Sequence, residues 1–453
     1  MASQSYAQQL KLNKERFLDQ VQTGKELSDW VISVGNEAGD LDSLASSLAV
    51  AHFAGEKDAR SGSKRRHVPL FLSGRNDLRL RPENLLALET AQIPAEALLT
   101  IDDLPASRLA NLGAKFALVD HNVLLDQFRS HPETADNAED DARVVSILDH
   151  HVDERKHLAA NPRVIELIGS CASLVTRQYA TDERTPTPLA DLLLSAIAID
   201  TRMKPVADGG KAAEVDLAAV QTLLPFSSFF ASAAPISAAT SDGAPSSSST
   251  AAALDALKAY NSRLSMTKED VSHLSGYDLL RRDYKEYHES SIRYGLSTVP
   301  LSLSTWLEKF ADSTSSPEEA IGNLVDEVRQ WMDERDLALA GVLTSYTHIK
   351  KSGATGSRRR EVLLVARASG EHERQQQEAF DSVFAGLEKE QVLELEEWKA
   401  RKEYRMDRGD TRDQAGSGWE RWRVWQQGNA RATRKQVAPA LRDLVHAAFG
   451  TPA

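Results

Sequence analysis

Aspartate and histidine recur in four short segments of this sequence: GNEAGDLDS at 35–43, with Asn36, Asp40 and Asp42; VDHN, with Asp120; LDHHVDE, with Asp149, His150 and His151; and AIAIDT, with Asp200. Each segment alone has an ordinary reading. Aspartate is favoured at helix N-termini, and a single aspartate after a strand is commonly a cap or turn residue. Several carboxylates and imidazoles converging on one sheet edge are a different matter, because the cluster is costly unless cations neutralise it. Aspartate and neutral histidine suit Mg²⁺ or Mn²⁺. Two such ions, about 3.5–4 Å apart, can clamp a phosphoryl group and acidify a bridging water, which points to hydrolysis of a phosphoester or phosphoanhydride.

The elements that must position these residues are short apolar runs at 30–35, 67–72, 115–120, 144–149 and 163–168. They read as buried strands of a mostly parallel sheet, with the acidic clusters at their C-terminal ends, where open α/β sheets place ligands. Leu41, Leu44, Ala45, Leu48, Ala49, His52 and Phe53 have helical spacing with one face toward a core. A further helical stretch is expected at 172–199. The alternation gives an α/β domain over 1–225. A Ser/Ala-rich stretch at 226–253 reads as an insertion or linker, and 254–453 as a second α/β domain with apolar runs at 338–346 and 361–366 and a charged helical stretch at 371–407.

In order along the chain, the four segments resemble the motifs of the DHH phosphoesterase superfamily. The opening GNE, with Asn36 where bacterial manganese pyrophosphatases carry histidine, is similar to the yeast-type cytosolic exopolyphosphatases. DYKEY at 283–287 and ATRKQVAPAL at 432–441 resemble the DHH-associated second domain, whose basic motif grips phosphate; Thr433 stands where serine is frequent. The resemblance implies a two-domain fold, with a mostly parallel metal-binding domain and a smaller α/β substrate-binding domain. It implies that Asp40 and Asp120 hold one ion, with Asn36 at the position of the missing histidine. Asp42, Asp120, His150 and Asp200 would hold the other, so that Asp120 bridges. His151 is expected to face phosphate and Asp149 to support the neighbouring loop or imidazole. An amide oxygen from Asn36 would make the first site harder, favouring Mg²⁺. Lys285, Arg434 and Lys435 would bind the phosphate chain, carried over the metals by closure of the second domain.

The implied activity is metal-dependent exopolyphosphatase hydrolysis, in which a two-metal-activated water releases orthophosphate from the end of inorganic polyphosphate, with Asp120, His150 and His151 in the catalytic set. A pyrophosphatase, a short-nucleotide phosphodiesterase and a prune-like regulatory binding protein remain as alternatives. Trp419, Trp422 and Trp425 could stack bases but read better as core. Arg358, Arg359 and Arg360 read as a solvated hairpin loop, with attraction of the substrate chain as the lesser reading.

Composition sets outer limits. The 453 residues, 41% hydrophobic and 26% charged, suit two or three globular domains. The net charge of −12 disfavours nucleic-acid binding driven by global charge. No apolar run approaches the ~20 residues of a membrane span, and the opening residues do not read as a secretory leader. The one cysteine, Cys171, cannot form an internal disulfide and reads as a small packed residue, so a cytoplasmic location is expected. The sequence does not set the oligomeric state, and a monomer is compatible with it.

Overall fold

The computed structural model describes residues 5–105, 113–130, 137–180, 185–233, 247–310, 316–349, 355–370, 372–405, 411–414 and 418–450. It contains two compact units, Met1–Asp270 and Val271–Ala453.

The first unit is built on six strands: β1 (Trp30–Val34), β2 (Arg66–Phe71), β3 (Leu99–Thr100), β4 (Lys115–Val119), β5 (Val144–Asp149) and β6 (Arg163–Ile165). They are ordered β3-β2-β1-β4-β5-β6 and every pairing is parallel. The apolar runs are near-continuous because both faces are covered. Val31, Ala117, Val119 and Leu148 enter one core with the helix Leu41–Arg60. Trp30, Ile32, Val34, Phe116 and Leu118 enter the other, with Phe17 and Val21 of the helix Tyr6–Gln22. Only the two-residue β3 lacks an apolar run in the sequence.

The stretch 172–199 is two helices, Cys171–Tyr179 and Thr187–Thr201. Pro186 is the N-cap of the second and Pro188 lies in its first turn, positions where a missing N–H costs little, so the prolines restart the helix. The domain limits also differ from those expected. The helix Ser247–Glu269 runs through residue 253 and belongs to the first unit. Ala253, Leu257, Tyr260 and Leu264, spaced by four, three and four residues, place an apolar stripe in the first core. Small Ala and Ser side chains conceal that stripe in the sequence. Within the expected insertion, Ser228–Ala233 is also helical, while 234–246 lie outside the described residues.

The second unit has eight strands: β7 (Tyr284–Glu289), β8 (Ile292–Val299), β9 (Leu339–Thr344), β10 (Tyr346–Ile349), β11 (Thr355–Ala368), β12 (Leu395–Glu397), β13 (Thr411–Gln414) and β14 (Gly418–Gln427). The main path is β12-β14-β11-β9-β8-β7, with β10 on β11 and β13 on β14; β8 and β9 are parallel and the other pairs antiparallel. Among the described residues of the charged stretch 371–407, only Glu373–Leu387 is helical, because the apolar set Phe380, Val383, Phe384 and Leu387 ends there. Trp419, Trp422 and Trp425 are buried in β14. A three-residue spacing on a two-residue pleat sends Trp422 to the opposite face from the other two, and none offers an open platform for a base. Among the described residues, no helix is long and apolar enough to cross a membrane.

Close approach between β1 and the helix after it depends on glycine. A Cβ on Gly35 would lie 2.5 Å from Ser43 Cβ. Gly35→Ala is therefore expected to destabilise the protein by about 1–3 kcal/mol, the range for overpacking. Gly322→Ala, at a helical position with nothing within 4 Å, should be neutral or stabilising by up to about 1 kcal/mol. Thermal denaturation of the two variants checks the contrast.

Candidate metal centre

The strand order reverses between β1 and β4, which opens a crevice at the C-terminal ends of these neighbours. Three of the four acidic segments leave the sheet there. Residues 35–40 follow β1, Asp120 follows β4, and Asp149 to His151 end β5. The fourth, Asp200, lies at the end of the helix Thr187–Thr201.

Asp120 is the centre of the constellation. It is 1% exposed and holds a left-handed backbone with φ of 60°, which aspartate tolerates better than most residues. Its Oδ2 accepts hydrogen bonds from Asn36 Nδ2 and Ser43 Oγ, both at 2.7 Å. Its Oδ1 lies 3.2 Å from His150 Nε2 and 3.6 Å from His151 Nδ1, yet receives no well-aligned hydrogen bond. His150 Nδ1 contacts the Ile168 carbonyl at 3.2 Å. That partner requires the proton on Nδ1, so a neutral His150 turns its Nε2 lone pair toward a carboxylate oxygen. Two acceptors facing each other at this distance require a proton or a cation, and ligating histidines are oriented by just such a carbonyl on the other nitrogen. Asp120, His150 and His151 bring ligand atoms within 4.8 Å of one another. The donor set therefore fits a divalent cation.

The other predicted ligands surround this group. Asp42, 1% exposed, has its Oδ2 3.9 Å from His150 Nε2. It also accepts from Ser170 Oγ, Cys171 N and Ala172 N at 3.0, 2.7 and 2.8 Å, which fastens the start of the helix Cys171–Tyr179 to the site. Asp40 is the N-cap of the helix Leu41–Arg60 and accepts from Ser43 N at 3.1 Å. Asp149 Oδ1 takes His151 Nδ1 and the His150 backbone N–H, each at 2.8 Å.

Asn36 differs from the expectation that it offers an oxygen to a metal. Its Oδ1 accepts the Ala38 N–H at 2.9 Å, while its Nδ2 donates to the Asp120 carboxylate and, at 3.1 Å, to the Asp120 carbonyl. Reversing the amide would oppose donor to donor and acceptor to acceptor. Asn36 thus orients Asp120, and the argument for Mg²⁺ from its oxygen falls away.

Several residues outside the predicted set hold the centre together. Ser43 joins β1 to Asp120 by accepting from Asn36 N and donating to Oδ2. Asn122 donates to Asp149 Oδ2 at 2.5 Å and to Val152 O at 3.0 Å. Arg81 Nε and Asn84 Nδ2 donate to the carbonyls of Ala38 and Gly39 at 2.7 and 2.9 Å. Ser43 and Asn122 close the first two motifs in the sequence, a signal that could have marked them; Arg81 and Asn84 carry none.

In the second unit, Lys285 lies on β7 opposite Leu296 of β8. Thr433 caps the helix Arg434–Phe449 by accepting from Lys435 N. Arg434 is not a loose cation: it donates to Asp283 O and Oδ1, each at 2.8 Å, and to Leu296 O at 3.4 Å. This ties the helix start to the β7–β8 hairpin and corrects the expectation of a guanidinium held open for phosphate. Lys435 is exposed.

The DHH family N-terminal domain matches residues 30–197, and the DHHA2 domain matches residues 262–444. The chain belongs to the DHH family. It is 29% identical over 427 residues to a provisionally named exopolyphosphatase of Schizosaccharomyces pombe, across 91% of this chain and 90% of that protein. It is 28% identical to the mouse protein named exopolyphosphatase PRUNE1, across 63% of this chain and 56% of that one. A provisionally named family II inorganic pyrophosphatase of Methanococcus jannaschii shares the fold, with a TM-score of 0.50 and 16% identity over 92% of this chain and 99% of that one.

Electrostatics of the DHH centre follow from its crowding. Burial, then repulsion by Asp120 and Asp200, pushes the Asp42 carboxyl well above its usual range. Burial also raises Asp200 to about 6, with Lys268 and His150 opposing and Asp40 and Asp120 adding to the rise. For Asp120, burial raises the carboxyl, but the neighbouring His150 and His151 and the hydrogen bond from Ser43 outweigh it and leave Asp120 well below the usual range.

A folded-state value for Asp200 above its ordinary 3.8 means that the folded chain binds that proton more tightly. The stability it contributes is present below about pH 4 and is lost as pH rises to about 6. Mg²⁺ or Mn²⁺ should therefore raise Tm, relative to chelator, more at pH 7.5 than at pH 5. Asp200→Asn should raise Tm in chelator at pH 7.5 and shrink the metal increment. Scanning calorimetry with EDTA or Mn²⁺ checks both.

Proposed function

We propose that this chain is a metal-dependent exopolyphosphatase that hydrolyses the terminal phosphoanhydride of inorganic polyphosphate and releases orthophosphate. The observation that carries the reading is the Asp120 Oδ1 and His150 Nε2 pair, two buried acceptors poised for a cation among Asp40, Asp42 and Asp200. The relatives named as exopolyphosphatases support the choice of substrate. Asp40, Asp42, Asp120, His150 and Asp200 would hold two divalent ions, Mg²⁺ or Mn²⁺. When bound, such ions supply Lewis acidity toward phosphoryl oxygens and a water acidic enough to attack near neutral pH.

The chain's own groups do the positioning. Asn36 and Ser43 fix the Asp120 carboxylate through Oδ2 and leave Oδ1 for a cation. The Ile168 carbonyl keeps the His150 proton on Nδ1. Asp149 holds His151 Nδ1, so Nε2 is the atom His151 turns toward a phosphoryl group. Lys285 and Lys435, with the backbone amides at the start of the helix Arg434–Phe449, supply positive charge for the polyanion. The reading places the enzyme in the cytoplasm, where the buried thiol of Cys171 stays reduced.

Phosphate release is compared for long-chain polyphosphate, tripolyphosphate, pyrophosphate and a short dinucleotide, with Mg²⁺ or Mn²⁺. Release from long chains with pyrophosphate left over, abolished by Asp120→Ala, is expected. Turnover of pyrophosphate or the dinucleotide alone transfers the centre to another substrate, and no turnover with either metal points to a binding protein. Lys435→Ala should raise KM for long chains about tenfold, the scale of one charge-assisted hydrogen bond, with kcat little changed. Steady-state kinetics separates the two constants.

A further inference from the structure

The basic run Arg358, Arg359 and Arg360 is not a solvated loop. It forms part of β11, and Arg360 is buried, 8% exposed. Alternation on the strand sends Arg360 to the same face as Val362, a residue of the core beneath the helices Glu373–Leu387 and Arg434–Phe449. Its Nε donates to the Ala430 carbonyl at 2.9 Å. Among the described residues no carboxylate pairs with it, and its terminal nitrogens make no hydrogen bond.

Two other arginines of the chain meet acids: the buried Arg81 lies 3.4 Å from Glu83 Oε1, and the half-buried Arg329 donates through Nε to Glu420 Oε2 at 2.7 Å. Arg358, two residues before Arg360 and on the same side of β11, donates to Ser345 Oγ at 2.9 Å and has no acidic partner either. Two cations therefore share one face, and the terminal nitrogens of the inner one, which no protein group accepts, still meet solvent. Burial, then the charge of Arg358, lowers Arg360 to about 10, so it remains charged at neutral pH. Two like charges on one face with no acid between them repel, and an anion supplied from outside would offset that repulsion. The planar fork of arginine matches phosphoryl oxygens. Ala430, which receives the Arg360 bond, lies in the loop that leads from β14 to Thr433, Arg434 and Lys435.

We propose that Arg360 and Arg358 form an oxyanion subsite on the second unit that takes a phosphoryl group of a polyphosphate chain, additional to any group held at Lys285 and Lys435. It rests on the polyphosphate reading for the identity of the anion. A site with this extra subsite favours chains of several phosphates over pyrophosphate.

The experiment is calorimetric titration of the full chain in chelator, which prevents turnover, with long-chain polyphosphate, pyrophosphate and inorganic phosphate. Arg360→Gln should weaken long-chain binding about tenfold, the scale of one charge-assisted contact, and leave pyrophosphate unchanged. Arg360→Lys should recover part of the affinity, a response that a packing role would not give. With metal present, Arg360→Gln should raise KM for long chains at constant kcat. Equal long-chain affinity in wild type and a folded Arg360→Gln overturns the subsite. If Arg360→Gln melts early, Arg358→Gln, at an exposed position, decides in the same titration. If wild type neither binds nor cleaves polyphosphate, the exopolyphosphatase reading fails, and inorganic phosphate then tests the subsite by itself: loss of its heat in Arg360→Gln keeps an anion site, and no heat in wild type removes it.

Discussion

Too much negative charge in too little water is the constraint on which the first unit depends. Asp42 and Asp120 are almost wholly buried, and Asp40 and Asp200 lie close enough to act on them. In the absence of a cation the cluster divides its burden unevenly. Asp120 stays ionised beside two imidazoles, while Asp42 and Asp200 are driven toward the neutral form. A chain that keeps such an arrangement gives up stability at the site, which a bound cation would return.

The surrounding hydrogen bonds make sense as ways of holding that cluster rigid while its charges repel. Asn36 and Ser43 take one oxygen of Asp120, and Asn122 and His151 share Asp149. Asp42 anchors the start of a helix, so one side chain serves both the site and the packing beneath it. The loop after β1 is pinned through its carbonyls by Arg81 and Asn84. Donors aimed at carboxylate oxygens stabilise the ionised form that a metal needs, and they limit the reorganisation that binding entails.

The second unit handles charge the opposite way. Most of its arginines are committed to acids or carbonyls of the same unit, as Arg434 is to Asp283 and Arg329 to Glu420. Against that background, Lys435 is exposed and Arg360 meets a carbonyl, that of Ala430, but no acid. The three tryptophans of β14 are buried and serve the packing of this unit.

The sequence by itself determined the strands and the residues at their ends, because a parallel sheet covered on both faces needs unbroken apolar runs, and chemistry gathers where those runs stop. It also determined the family, through ordered motifs in both halves of the chain. Tertiary structure decided what local patterns could not carry. The apolar stripe of Ser247–Glu269 was hidden among small residues, so the first unit's extent was not legible until that helix was seen in its core. The roles of Asn36, Arg434 and Arg360 depended on partners 84, 151 and 70 residues away in sequence. Residue type says that a side chain can donate; only the fold, which fixes the acceptor opposite it, says whether that donor orients a carboxylate, fastens a helix or holds a loop.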